Sequence, residues 1–525
     1  MKKGVPPMPT FRDPDVVIVG AGPVGLVAGC ELARRGVSVR VIDKLPQPTS
    51  QSRAIAVHAR SLDMFDRIGI VDELVSTGIK AMAMQLYAGH RKLFRVPLGG
   101  VEGAFPFTLT TAQTETERVL DARLRSLGAA VERGVELVGL TQDDDAAQLT
   151  LRHLNGSIER VRAPWVIGAD GGHSAVRRLV GTKLEGCFEG ERFVLGDVDA
   201  EHRLDLDSMH TFFSADGPVV VLPMRDGRMR FLAQVRAATG TPIDATQEAL
   251  QAILDRRIGG IRLTRSHWLT SFEVRHARVP AYRWGRVFLA GDAAHIHSPA
   301  GGQGMNTGMQ DAFNLAWKLA AVIHDDAGDT LLDSYQAERL PVADAVIAFT
   351  DRLTRAGTMS GLPSRIRNAV VRVVSHVPAA RRAMANTAEE TNLAYRHSPL
   401  AVGRRPRHAK VAAGDHIPPV PDAAVQKQLS AVQATAHVVL TVAAGEEAPA
   451  PAPAGLGQVQ VLVTDGDASV GGYDTVIADP AGVIARRFGL RNGGRVVIRP
   501  DGYLGAVTSL DDTTTIVDYF TTLRS

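Results

Sequence analysis

The chain has 525 residues, 45% of them hydrophobic and 22% charged, with 59 Lys and Arg against 56 Asp and Glu for a net charge of +3. At roughly 150 residues per domain this is a multidomain length, large enough to need no disulfide or metal staple. The charge is too small and too dispersed for a nucleic-acid binder. Cys30 and Cys187 lie far apart and outside any CxxC, which excludes a disulfide scaffold, a zinc module and a dithiol redox pair. No apolar run approaches the roughly 18 residues of a membrane-spanning helix. Met1 to Asp15 lacks the apolar stretch of a signal peptide, so a cytoplasmic protein is expected. Glycine is the outlier: 51 residues, bunched at a few places, against a usual share of about 7%.

The first bunch follows Asp15-Val-Val-Ile-Val19, a β-branched run that reads as a strand buried on both faces. Gly20-Ala-Gly22-Pro23-Val24-Gly25 comes next, then a helical stretch from Pro23 to Arg35 and a second strand ending at Asp43 and Lys44. Gly20 suits a tight turn, Gly22 close approach to a pyrophosphate, and Gly25 helix–strand contact. The helix start offers free N–H groups and a positive dipole end to phosphates, and Asp43 is placed for a ribose hydroxyl. This unit predicts dinucleotide binding. No second GxGxxG follows a strand, so one firmly held dinucleotide is expected.

Two further bunches lie downstream. Val166-Ile-Gly-Ala-Asp170-Gly-Gly-His-Ser174-Ala-Val-Arg177 reads as strand, turn and helix; Arg286-Val-Phe-Leu-Ala-Gly291-Asp292 is again a strand ending in Gly-Asp. Pro299-Ala-Gly-Gly302-Gln-Gly304-Met305-Asn306 then opens a long amphipathic helix running to about Ile323. His295 and His297 do not have the spacing of two ligands on one helix face, and no carboxylate pair completes a metal site. They read as structural, as does His58, and no metal is expected.

On these motifs the chain resembles the single-component FAD-dependent aromatic hydroxylases (class A flavoprotein monooxygenases) over nearly its whole length. Ser52-Arg53-Ala54, Gln113 with Glu115 and Glu117-Arg118, and Ser334-Tyr335-Gln-Ala-Glu338-Arg339 match further motifs of that family in order. The chlorinated-phenol and polyketide hydroxylases, with their extra C-terminal domain, look most similar. The resemblance implies an α/β fold with three parts. A Rossmann-like FAD-binding domain (1–184 and 281–398) carries an inserted mixed β-sheet substrate domain (185–280), and a thioredoxin-like domain lacking CxxC follows (399–525). It also implies FAD as cofactor, with Arg53, Gln113, Asp170, Gly291, Asp292, Pro299, Gly302, Gly304, Met305 and Asn306 joining the first cluster around it. NADH or NADPH is the implied transient electron donor, O2 the co-substrate and a small aromatic compound the substrate. A homodimer is a candidate assembly.

The implied reaction is hydroxylation of a phenolic or polyketide-type ring by an oxygen adduct of the reduced flavin. Baeyer–Villiger insertion, epoxidation and a flavin-binding protein without turnover stand as alternatives. Glu185 to Pro280 alternates in short β-like segments, the implied wall of the substrate pocket. Phe212, Leu222, Met224 and Phe231 are its candidate apolar residues, and His210, Arg225 and Arg230 the polar ones. Thr211 stands where relatives often carry a tyrosine. Arg53, Pro299 and His210 are the candidates for a catalytic role.

Overall fold

The computed structural model describes residues 13–525 apart from 102, 236–242, 300, 325, 360–362, 364–365, 370–375, 421, 433–435, 445–447, 454, 456 and 466–470. Residues 1–12, part of the stretch read above for a targeting signal, lie outside them, as does Ala300 of the third glycine bunch.

Val16–Val19 is entirely buried, as a β-branched strand covered on both faces should be. It pairs in parallel with Val39–Asp43 and with Trp165–Gly168, which pairs in parallel with Val287–Leu289. Arg283–Trp284 and Val131–Arg133 complete a six-stranded sheet. The registers place Val19 beside Gly168 and Gly168 beside Leu289. Three carboxyl ends therefore meet at one sheet edge, where the chain continues as Gly20, Ala169 and Ala290. Topology thus gathers glycine bunches that are remote in sequence, at the edge where open α/β sheets bind ligands. The Pro23–Ala33 helix packs across the long Gln303–Ile323 helix, whose Met309, Phe313, Ala316 and Leu319 enter the main core.

An eight-stranded sheet lies beyond. Its order is His295–Ile296, Arg262–Arg278, Glu185–Glu201, Arg228–Val235, Val219–Pro223, Ser208–Phe213, Ala83–Ala88 and Arg91–Pro97. It extends past residues 185–280: two of its strands come from the first part of the chain. Without them Ser208–Phe213 would be an open edge, and parallel pairing with Ala83–Ala88 covers it.

The C-terminal part builds a five-stranded sheet ordered Thr475–Ala478, Gln458–Thr464, His437–Val442, Gly494–Ile498 and Leu504–Thr508. It has its own core, and a second cluster shared with Trp317 and Leu331 of the cofactor part. The junction is charged as well as apolar. Arg499 meets both oxygens of Glu338, at 2.5 and 2.9 Å, and Lys318 meets the same carboxylate at 2.7 Å. Arg499 also contacts Asp501 at 2.5 Å, and every side chain of this network is buried. Among the described residues no helix is long and apolar enough to cross a membrane, and no group of three His, Cys, Asp or Glu could hold a metal ion.

Candidate active site

Gly20 has a φ of 106°, and a side chain there would strike the Ala169 carbonyl of the next strand end. A methyl at Gly25 would overlap the Gly20 carbonyl. Gly22 differs: nothing lies within 4 Å of where its Cβ would be. That side of the turn is an open cradle. No described side chain caps the Pro23–Ala33 helix, with Pro23 as its first residue, so its leading N–H groups are left for an anion. Val24 departs from expectation. Its side chain is wedged between Gly291 and Gly308, leaving its backbone for the cradle. Asp43 accepts the Ala21 N–H through Oδ2 and the Leu45 N–H through Oδ1, each at 2.8 Å. It holds the glycine turn from behind, with lone pairs left for a hydroxyl; Lys44 beside it is exposed.

Asp170 is engaged within its own turn. Its carboxylate accepts from Ser174 Oγ at 2.5 Å and from the N–H groups of Ala175 and Val176 at 2.6 and 3.1 Å. It caps the Ala175–Leu179 helix. Arg177 on that helix donates to the carbonyls of Gly172 at 2.6 Å and Ala293 at 3.0 Å, tying the second glycine bunch to the third. Asp292 is open to the cleft between them. The surrounding protein raises its carboxyl against the pull of His295, Arg53 and Arg177. Arg53, exposed on its loop, thus lies within electrostatic reach of Asp292. Gln113 braces that loop: Oε1 accepts the Ala54 N–H at 3.2 Å and Nε2 donates to Glu117 at 2.8 Å, which leaves its second N–H for a ligand.

The third loop is held just as firmly. The half-buried Pro299 accepts the Gly302 N–H at 2.9 Å, and Gly302, at a φ of 68°, opens the long helix without a side-chain cap. Asn306, expected at a flavin, is buried and fully engaged. Its Nδ2 donates to the carbonyls of Ala56 and Gly302, both at 2.9 Å, and its Oδ1 accepts the His58 N–H at 3.0 Å. Met305 is half-buried against the main core, and Gly304 lies against His297.

The eight-stranded sheet corrects three substrate candidates. Phe212 and Phe231 belong to the cluster beneath the Gln247–Arg257 helix, on the face turned away from the cofactor part. His210 shares that face, bonded to Tyr87 at 3.2 Å and to the Asp205 carbonyl at 2.9 Å; burial lowers its pKa. Strand alternation forces this, since positions 210 and 212 share a side. Arg225 is also displaced, exposed in a turn. Leu222 and Met224 stand on the inner face with Met209 and Phe213, against Ile55, Ala56 and Ala59 beside the third loop. Arg230, opposite Leu222 in register, shares that face. Its Nε and Nη2 clasp Asp197 at 2.6 Å each, its guanidinium lies 5.6 Å from the Trp268 ring centroid, and its buried Nη1 has no partner among the described residues.

Several supporting residues escaped sequence reading. Asp311 accepts from Gly291 N–H, His295 Nε2 and Arg339 Nε. Glu389 receives the Ala59 N–H at 2.7 Å, and Glu390 receives Gln310 Nε2 at 2.5 Å from a left-handed backbone at φ 57°. The one available signal was Asp311 as the single acid of the long helix, with the Glu338-Arg339 pair downstream.

The family model described as "FAD binding domain" matches residues 13–350, and that of the "Phenol hydroxylase, C-terminal dimerisation domain" matches 474–525. The chain is 35% identical to the 6-methylpretetramide 4-monooxygenase of Streptomyces rimosus, over 97% of this chain and 93% of that protein. It is 33% identical to the pentachlorophenol 4-monooxygenase of Sphingobium chlorophenolicum, over 95% and 94%. The chain belongs to the FAD-dependent aromatic monooxygenases. Among solved structures it is similar to the anhydrotetracycline hydroxylase of Streptomyces rimosus, with a TM-score of 0.74 and 28% identity over 97% of this chain and 99% of that one.

The residues of this monooxygenase fit FAD. The open side of Gly22 gives room for phosphate, the Pro23–Ala33 and Gln303–Ile323 helices both start without a side-chain cap, and Asp292 is exposed within electrostatic reach of Arg53. The enzyme uses FAD with NAD(P)H as electron donor and hydroxylates aromatic substrates. Asp170, Gln113 and Asn306 each fix one of these loops by a side-chain hydrogen bond.

Proposed function

We propose that the substrate is a phenolic, multi-ring polyketide-type compound bound between the inner face of the eight-stranded sheet and the cofactor cleft. The relatives named for tetracycline-type substrates support this class. The observation that carries it is Arg230: a buried cation among apolar side chains, held by Asp197, with Nη1 unpartnered by any described residue. Such a group asks for an oxygen on the ligand. Bound there, a phenol would be polarised toward phenolate, which enriches the ring carbons ortho and para to it. Asp197 keeps the guanidinium from swinging, and Leu222, Met224 and Phe213 would enclose the ring and exclude water.

FAD, when bound, supplies the redox and oxygen chemistry. The chain holds it with the Gly20–Gly25 turn at the phosphates, Asp43 at the ribose, Asp292 at a hydroxyl of the linking chain, and the Gly302–Gly304 amides beside the ring. Arg53 contributes positive charge to the cleft. The C-terminal part joins two copies, and a cytoplasmic setting supplies the NAD(P)H.

The test is to purify the protein and record flavin absorbance. NAD(P)H oxidation is then followed with anhydrotetracycline, pentachlorophenol and simple phenols, with the products weighed for one added oxygen. Light scattering at twice the chain mass checks the dimer. Stimulation by simple phenols alone would overturn the multi-ring reading, and a protein that takes up no FAD would remove its foundation.

A further inference from the structure

His297 is packed into the start of the long helix. Its ring carbon Cε1 and nitrogen Nε2 lie 3.6 and 3.8 Å from the position a Gly304 side chain would take, which places the imidazole directly against the helix opening. The residue is 8% exposed. Its Nδ1 lies 3.1 Å from the Ser298 carbonyl, which can only accept, so Nδ1 carries the proton. Nε2 of the neutral ring is therefore an acceptor, and it is buried with no partner among the described residues. Burial, then the neighbouring His295, lowers the pKa to about 4, in keeping with a neutral ring.

Among the described residues no donor reaches Nε2. His295 stacks parallel to it, centroids 6.1 Å apart and planes within 8°, with its own Nε2 engaged by Asp311. Among the described residues His276 has no hydrogen-bond partner on either ring nitrogen; it lies 3.4 Å from Glu191, whose other oxygen receives Ser298 Oγ at 2.5 Å. A buried acceptor without a donor is costly, and this one adjoins the uncapped helix start where the cofactor is placed.

We infer that His297 is a further cofactor-binding residue, its Nε2 accepting a hydrogen bond from an N–H or O–H of FAD. The inference rests on the placement of FAD at the Gly302–Gly304 turn. Two parts of FAD carry such donors: N3–H of the isoalloxazine and the hydroxyls of the ribityl chain.

The test is FAD titration of apoprotein from wild type, His297→Leu and His297→Gln, each with the thermal midpoint of the apoprotein. For His297→Leu the FAD Kd rises about tenfold or more, as expected when a ligand donor loses its partner. The apoprotein midpoint stays within about 2 °C or rises, because an unpartnered nitrogen has been replaced by carbon. His297→Gln, which retains an acceptor, recovers part of the affinity. Titration with 3-methyl-FAD locates the donor. If it is N3–H, the penalty of His297→Leu disappears with this analogue; if it is a ribityl hydroxyl, the penalty persists. A wild-type Kd for FAD in both variants overturns the inference and assigns Nε2 to water. Failure of the wild type itself to bind FAD would instead overturn the cofactor placement. If His297→Leu does not fold, His297→Gln decides alone: a Kd for FAD raised several-fold at an unchanged apoprotein midpoint supports the inference, and an unchanged Kd overturns it.

Discussion

Asp311 reaches back to Gly291: the Gly291 N–H donates to Asp311 Oδ2 at 3.1 Å, on the carboxylate that also takes His295 Nε2 and Arg339 Nε at 2.7 Å each. Burial alone would raise the Asp311 carboxyl. The charges of Arg339 and His295 outweigh it and hold the group below its ordinary range. The turn that presents Asp292 is thereby fixed to the middle of the long helix.

Replacing Asp311 by Ala leaves Arg339 buried without its counter-ion. Breaking a pair of this kind costs about 3–5 kcal/mol, which denaturant titration of the apoprotein should record. FAD affinity should fall with it, because the Gly291 N–H loses its acceptor. An unaltered FAD Kd in the variant would separate the turn from the cofactor.

The two faces of the eight-stranded sheet make opposite predictions. Arg230→Lys keeps the charge but loses the two-pronged clasp of Asp197, and kcat/KM for the accepted substrate should drop about 10- to 100-fold. His210→Ala removes a partner of Tyr87 on the outer face. It should cost about 1–3 kcal/mol of stability and leave KM within about twofold. Steady-state kinetics beside thermal melts tests both.

Arg499 anchors the C-terminal part to Glu338 through buried charges. Arg499→Met should destabilise the protein by about 3–5 kcal/mol and expose the 399–415 region to protease. Adding Glu338→Gln to Arg499→Met should not recover that loss, since Lys318 and Asp501 are then both left buried without a counter-ion. Limited proteolysis with a denaturation curve distinguishes the outcomes.

Two buried histidines tie stability to pH. Burial lowers His297 to about 4 and His437 to about 3, from an ordinary 6.5. The unfolded chain therefore takes up protons first as pH falls, and the folded state loses stability below about 6.5 until these groups protonate. Each contributes at most about 1.4 kcal/mol per pH unit in that window. Above it neither contributes a slope. The thermal midpoint should fall steeply from pH 6.5 to 4, and His437→Gln should flatten the fall.

The glycine bunches were legible in the sequence because a dinucleotide demands particular residues at fixed spacing after a strand. Their meeting at one sheet edge followed from the parallel strands that precede them. The roles of Asp170, Gln113 and Asn306 were less legible. A motif marks the place, while the side chain there can also serve the loop. His210, Phe212 and Phe231 failed for another reason. Both faces of this sheet are apolar, because the Gln247–Arg257 helix covers the outer one, so hydrophobicity could not say which alternate set faces the cleft. Asp311, Glu389 and Glu390 act through partners distant in sequence, and beyond the lone acid at Asp311 no local pattern announces them.

Strand alternation also limits how such an enzyme can acquire a new substrate. Along Ser208–Phe213 and Val219–Pro223 only every second side chain stands on the inner face: Met209, Thr211 and Phe213, then Val220 and Leu222. Their neighbours hold the helix behind. A library that varies all consecutive positions would place about half its changes where they can loosen the scaffold without touching a ligand. One confined to the inward set explores substrate range with the support intact.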